Sequence, residues 1–139
     1  MKISAHLQNT HNHHHITLTT NDTTHTIEIP PKSTGYGSSA NGGELLFLAL
    51  ATCYCNDIYR EADRRGIAVT AVEVTVDGDF GAPSEPAYNI TYRAKVTGRA
   101  GAAELEALAR HTDTVAEIQN TLRGGTPVTM GEIEVESNG

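Results

Sequence analysis

The stretch ELLFLALATCYCNDIYREADRR, residues 44–65, constrains this chain more than any other. From Leu45 to Cys53 it has no polar face. Asn41 is a candidate N-cap with Glu44 three residues on, the pattern of a capping box. Arg64 and Arg65 suit the negative end of the helix dipole, and Gly66 suits the C-cap. The spacing predicts a helix from residue 43 to 65, long for a chain of 139 residues. A helix apolar all round is buried all round. One small sheet covers one side only, so a neighbouring subunit or a second helical region must cover the other. We expect a homodimer in which this helix lies between a sheet and the partner.

Strand signals flank the helix. ISAHL places Ile3, Ala5 and Leu7 on one face, HITLTT places Ile16 and Leu18, and HTIEI places Ile27 and Ile29. Asn21-Asp22 suits a hairpin turn, so residues 1–30 read as an antiparallel meander. PPKSTGYGSSANGG, residues 30–43, is a loop long enough to be functional or mobile. Beyond the helix, IAVTAVEVTVDGDF and AYNITYRAKVTG alternate cleanly as two strands. AAELEALAR is helical, HTDT breaks it, and Thr114 with Glu117 restarts it as a second capping box. TPVTMGEIEVE reads as a final strand. The predicted order β-β-β-α-β-β-α-α-β is α+β with antiparallel sheets and one domain over residues 1–139.

Charge and hydropathy exclude several partners. A net charge of −7 gives no footprint for nucleic acid and disfavours an anionic membrane surface. The longest apolar run is far short of a membrane span, and the N-terminus lacks a signal-peptide core. We therefore expect a cytoplasmic protein. Two cysteines in such a chain are reactive, ligating or simply buried rather than a structural staple. His11 and His13 to His15 tempt a metal reading. On a strand, His13 and His15 share a face and His14 opposes them, with no fixed carboxylate or thiolate at metal spacing. We expect no metal and no cofactor.

The two cysteines stand in LATCYCNDIY, residues 50–59, one residue apart. At 100° per residue their side chains diverge by about 200°. A mutual disulfide or a shared metal would require the helix to unwind. Cys53 shares its side with Leu46, Ala49, Leu50, Asn56, Asp57 and Arg60, where an apolar stripe turns polar. Cys55 shares its side with Leu48, Ala51, Ile58, Tyr59 and Ala62, which reads as core. The alternative for Cys53 is a small buried core residue. Asp57 and Arg60 alternatively form an ordinary ion pair.

Taken together, SANGGELLFLALATCYCNDIYREADRRGIAVTAVEVTVDGDF resembles the signature of the OsmC/Ohr superfamily, the osmotically inducible protein C and organic hydroperoxide resistance proteins. The resemblance implies an OsmC-like fold: an intertwined homodimer with antiparallel sheets packed on long central helices and active sites at the interface. It implies a role in the oxidative stress response through thiol-dependent reduction of organic hydroperoxides. In that chemistry a thiolate attacks the peroxide and becomes a sulfenic acid, which a second cysteine resolves. Cys53 falls on the peroxide-attacking position. Ala116 falls near the second cysteine position, so the reductant would be an external thiol. The family's activating Glu lies ten residues before the first cysteine, at Gly43, and Glu44 is one residue late. The family's activating Arg lies in the preceding loop, where Lys32 is the only cation. Cys55 lies outside the family pattern. Arg60, two turns along the helix, is a further candidate to support a thiolate at Cys53, which is too deep in the helix for its dipole. Cys53 is thus the catalytic candidate, with Lys32, Glu44 and Arg60 in support. The alternative is a non-catalytic relative that binds a small apolar ligand at the dimer interface.

Overall fold

The computed structural model describes residues 1–139, which divide into two units, residues 1–48 and 49–139. The element order is β1 (Ile3–Thr10), β2 (His13–Thr20), β3 (Thr23–Ile27), α1 (Gly42–Arg65), β4 (Val69–Asp79), β5 (Tyr88–Gly98), α2 (Ala102–Val115) and α3 (Glu117–Arg123). The architecture is α+β with two antiparallel sheets and three helices.

In the first unit the meander forms as its alternation predicts, with strand order β1-β2-β3. Asn12 (φ 63°) and Asn21 (φ 52°) make its turns in the left-handed region, which asparagine tolerates. The register aligns Leu7, Ile16 and Ile27 across the three strands. Residues 28–41 are not slack. Pro31 bridges Ser38, and Lys32 N–H donates to Gly37 O at 3.0 Å. The Asn9 amide clasps Gly37 from both sides, accepting from its N–H at 3.0 Å and donating to its carbonyl at 3.2 Å.

Helix α1 begins and ends on its local signals. Glu44 N–H donates to Asn41 Oδ1 at 2.8 Å, and Asn41 N–H donates to Glu44 Oε1 at 2.9 Å. This reciprocal pair satisfies two of the free amides at the helix start. At the other end Gly66 takes φ 66°, while its N–H reaches Asp63 O and Ile67 N–H reaches Ala62 O. That is the Schellman arrangement.

In the second unit, Tyr54, Ile58 and Ala62 form one stripe on α1 and join Ile67 and Leu108 as the core. Val72 and Val74 of β4, Tyr92 and Val96 of β5, and Leu105 and Ala109 of α2 pack around it. Tyr54 also donates to Ala109 O at 2.8 Å and meets Tyr92 edge to face at 5.1 Å.

Three expectations are corrected here. HTDT does not end α2, which runs to Val115. Thr112 is fully buried, and its hydroxyl donates back to Leu108 O at 2.8 Å, so the helix carries it through. Thr114 and Glu117 form no capping box. Thr114 donates to His111 O, and the N-cap of α3 is Ala116, without a side-chain cap. Finally, TPVTMGEIEVE is not a strand in this chain: residues 126–139 belong to no helix or sheet and are exposed throughout. Its alternation has no edge to pair with there.

Ile58 is fully buried at the centre of the stripe. Ile58→Ala should destabilise the protein by about 2–5 kcal/mol, from lost transfer energy plus a cavity. Urea unfolding followed by circular dichroism should show a lower midpoint with an unchanged slope.

Candidate functional site

Cys53 sits on α1 one turn before Asp57, and its S–H donates to Asp57 Oδ2 at 3.5 Å. A second carboxylate arrives from α3, with Glu117 Oε2 at 3.6 Å from the sulfur. Two contacts fix α3 there. The buried Gln119 amide donates to Leu50 O at 3.0 Å, and Arg60 donates to Glu117 Oε1 at 2.9 Å. The same guanidinium lies 3.1 Å from Asp57 Oδ1 and 3.4 Å from Glu61 Oε2. Glu61 in turn meets Arg64 and His111 at 3.1 and 2.9 Å, tying α1 to α2. One basic ladder, Arg60 and Arg64, therefore faces an acidic cluster drawn from two helices.

This arrangement sets the titrations. Burial pushes the Cys53 thiol above its ordinary value. The Ile118 amide opposes that shift, while the Asp57 charge and hydrogen bond and the Glu117 charge add to it. Asp57 is pushed up to about 6, first by burial and then by its hydrogen bond and repulsion with Glu117. Glu117 is lowered to about 2, chiefly by accepting from Asp57. Below about pH 6 the two carboxyls hold one proton between them, carried by Asp57, the buried member; above it both are ionised. Arg60 lies beside the site, but its guanidinium faces carboxylates. The sulfur sees negative groups.

The other candidates stand as follows. Cys55 is half-buried rather than sealed in the core. It lines a shallow depression of about 250 Å³ with Ala51, Thr52, Asn56, Val72 and Val74, on the β4 side of α1. Both thiols are free. Glu44 is engaged in the helix cap. Lys32 belongs to the first unit, where its side chain lies along Gly37. Of the four, only Cys53 and Arg60 share the carboxylate cluster.

Sequence reasoning assigned Glu117 to a cap and did not single out Glu61, His111 or Gln119. The i, i+4 repeats Asp57/Glu61 and Arg60/Arg64 were the available signal for the cluster. The metal question also moves. The histidine run forms no ligand cluster, whereas ligand atoms of Cys53, Asp57 and Glu117 lie within 4.8 Å of one another. Arg60 already supplies the positive charge that such a cluster would ask of a cation.

The comparisons agree with this architecture. The family model for OsmC-like proteins matches residues 35–131, and the chain belongs to that family. No curated protein matches the sequence. Among solved structures, an organic hydroperoxide resistance protein OsmC from Legionella pneumophila, described as a predicted redox protein, is 22% identical with TM-score 0.60, covering 89% of this chain and 90% of its own. An OsmC-like protein from Mycoplasma pneumoniae is 17% identical with TM-score 0.58, covering 87% and 88%. An OsmC-like protein of unknown function from Vibrio cholerae is 14% identical with TM-score 0.60, covering 87% and 93%. At these identities the likeness is one of fold. No helix is long and apolar enough to cross a membrane.

The negative surroundings of Cys53 have a direct readout. In a Cys55→Ser background, thiolate absorbance near 240 nm should titrate with a midpoint above that of an ordinary cysteine. Glu117→Gln should lower that midpoint by removing a charge that raises it. A midpoint near 7 would contradict the geometry.

Proposed function

We propose that this OsmC-like protein is a one-cysteine thiol peroxidase that reduces organic hydroperoxides at Cys53. The observation that carries the reading is the setting of the sulfur: a half-buried thiol with acid groups in hydrogen-bond reach, at the end of an apolar helical stripe. In the first step the Cys53 thiol and a hydroperoxide give the sulfenic acid and an alcohol. The S–O bond forms as the O–O bond breaks. Two equivalents of an external thiol then return the cysteine, releasing water and a disulfide of the reductant. An external thiol is required because the neighbour of Cys53 on α3 is a carboxylate, and Cys55 lies on the β4 side of the helix. A reducing cytoplasm suits that demand.

The working unit in this reading is a homodimer. Support comes from apolar surface left bare on the single chain. Leu48 of α1 is 59% exposed, Ile3 and Leu7 of the meander are exposed, and Val128, Met130, Ile133 and Val135 of the C-terminal segment are exposed as well. Scattered apolar residues are ordinary; an alternating apolar segment with no strand partner is not. Sedimentation at micromolar concentration should give a dimer, and a stable monomer would refute this assembly.

One observation favours a second reading, a relative that binds an apolar ligand without turning it over: the thiol is held in its neutral form. Peroxide consumption with several thiol reductants separates the two. The wild type and Cys55→Ser should consume organic hydroperoxide, and Cys53→Ser should not. Equal traces for wild type and Cys53→Ser would leave the binding reading standing.

A further inference from the structure

The Cys53 site poses a chemical difficulty. A thiol peroxidase ordinarily works through a thiolate stabilised by a nearby cation. Here the cation, Arg60, is paired with Asp57, Glu61 and Glu117, and the sulfur faces the carboxylates instead. Acids at this distance do not stabilise a thiolate, but they can accept its proton.

We propose that the Asp57–Glu117 carboxyl pair is the acid–base catalyst of Cys53, taking the thiol proton as the sulfur attacks and handing it to the leaving alkoxide. The proposal rests on the peroxidase reading above. Its geometry is direct. The S–H group donates to Asp57 Oδ2 at 3.5 Å and lies 3.6 Å from Glu117 Oε2, so either oxygen is placed to receive the proton. The step balances within the site. The S–H bond breaks and its proton passes to the pair; the sulfur lone pair forms the S–O bond; the O–O bond breaks, and the alkoxide takes the proton to leave as an alcohol. The products are a sulfenic acid and an alcohol, with the pair restored to its starting charge and no co-reactant consumed.

The pair is also tuned for the task. A catalytic base works best with a pKa near the operating pH. An isolated aspartate is too weak a base for a thiol. Asp57 titrates at about 6 because it is buried and faces Glu117, so at neutral pH it is ionised and free to take the thiol proton. Charged and titratable groups reach Asp57 from two helices, α1 and α3. From α1 they are Cys53 and Arg60, with Glu61 beyond the guanidinium; from α3 there is Glu117; and His111 of α2 engages Glu61 instead. Arg60 lowers Asp57, and its removal alone would raise it further.

The test is the pH dependence of a single turnover: full-length protein, excess cumene hydroperoxide, and Cys53 sulfenic acid captured by dimedone and mapped by peptide mass. For the wild type the rate should rise through pH 6 and level off below pH 8. In Asp57→Asn the rate at pH 7 should fall by about 10²–10⁴-fold, the usual contribution of a positioned acid or base. It should then climb with pH through the thiol's own ionisation, toward the wild-type rate. Glu117→Gln keeps Asp57 but removes a group that raises it, so its acid limb should move below pH 6. Glu117 is exposed, so this variant leaves the core untouched and serves where Asp57→Asn fails to fold. No labelling of the wild type at any pH would overturn the peroxidase reading and the relay with it. Labelling that follows the thiolate in all three proteins would overturn the relay alone and leave the peroxidase.

Discussion

Arg60 lies between carboxylates contributed by two helices, and the geometry around Cys53 depends on that placement. Without the guanidinium, Asp57 and Glu117 would meet as like charges across a few ångströms, beside a sulfur with no positive neighbour. With it, one guanidinium contacts both carboxylates and offsets part of their repulsion. The contact is partly exposed on the arginine and glutamate sides, and such pairs contribute little stability by themselves. Its effect is positional. Together with the Gln119–Leu50 hydrogen bond it fixes α3 against α1, and so fixes which side chain of α3 meets the thiol. Where the family resemblance would put a second cysteine, the neighbouring residue delivers an acid.

What was legible in the sequence divides by range. The ends of α1 were readable because the capping box and the Schellman turn are local: their partners lie within a few residues, and no tertiary contact is needed to form them. The meander and the β4–β5 hairpin were readable for the same reason, from alternation and turn residues. The divergence of the cysteines followed from helical geometry alone, and Cys53 does face α3 while Cys55 faces β4. The candidate site was only half legible. Asp57 and Arg60 stood out as neighbours of Cys53, but Glu117 was read as a cap for Thr114. That local pairing lost to an arginine 57 residues away, and sequence spacing carries no record of such a contact. HTDT failed in the same way. Its residues are poor helix formers in isolation, yet a buried Thr112 bonded to Leu108 O keeps the helix intact, because packing overrides propensity.

The C-terminal segment shows a different limit. Residues 128–135 alternate as a strand should, but alternation reports what a segment can pair with and does not supply the pairing edge. In the single chain those side chains lie in solvent, as do much of the β1 apolar face and Leu48 of α1. Of the apolar girdle of α1 that motivated a partner, Leu48 is exposed, Leu50 is buried and the other apolar residues are half-buried, and the core stripe lies further along the helix at Tyr54, Ile58 and Ala62.

A neutral thiol is not by itself a poor nucleophile once it is deprotonated. Lowering a thiol's pKa raises the fraction of thiolate but weakens each thiolate, with a sensitivity of about 0.4–0.5. A site that keeps the pKa high and supplies a base in contact takes the opposite route: few free thiolates, each of full strength, generated only as the sulfur attacks. In the peroxidase reading proposed above, that route needs the base to hold its position before the peroxide arrives. Here the requirement is met by groups already engaged with one another. Asp57 is buried and paired with Arg60, Glu117 is held by the same guanidinium, and Arg60 is held in turn by Glu61, which His111 and Arg64 anchor. Each member restrains the next, so the oxygens beside Cys53 are positioned by the folded core of the second unit rather than by the substrate.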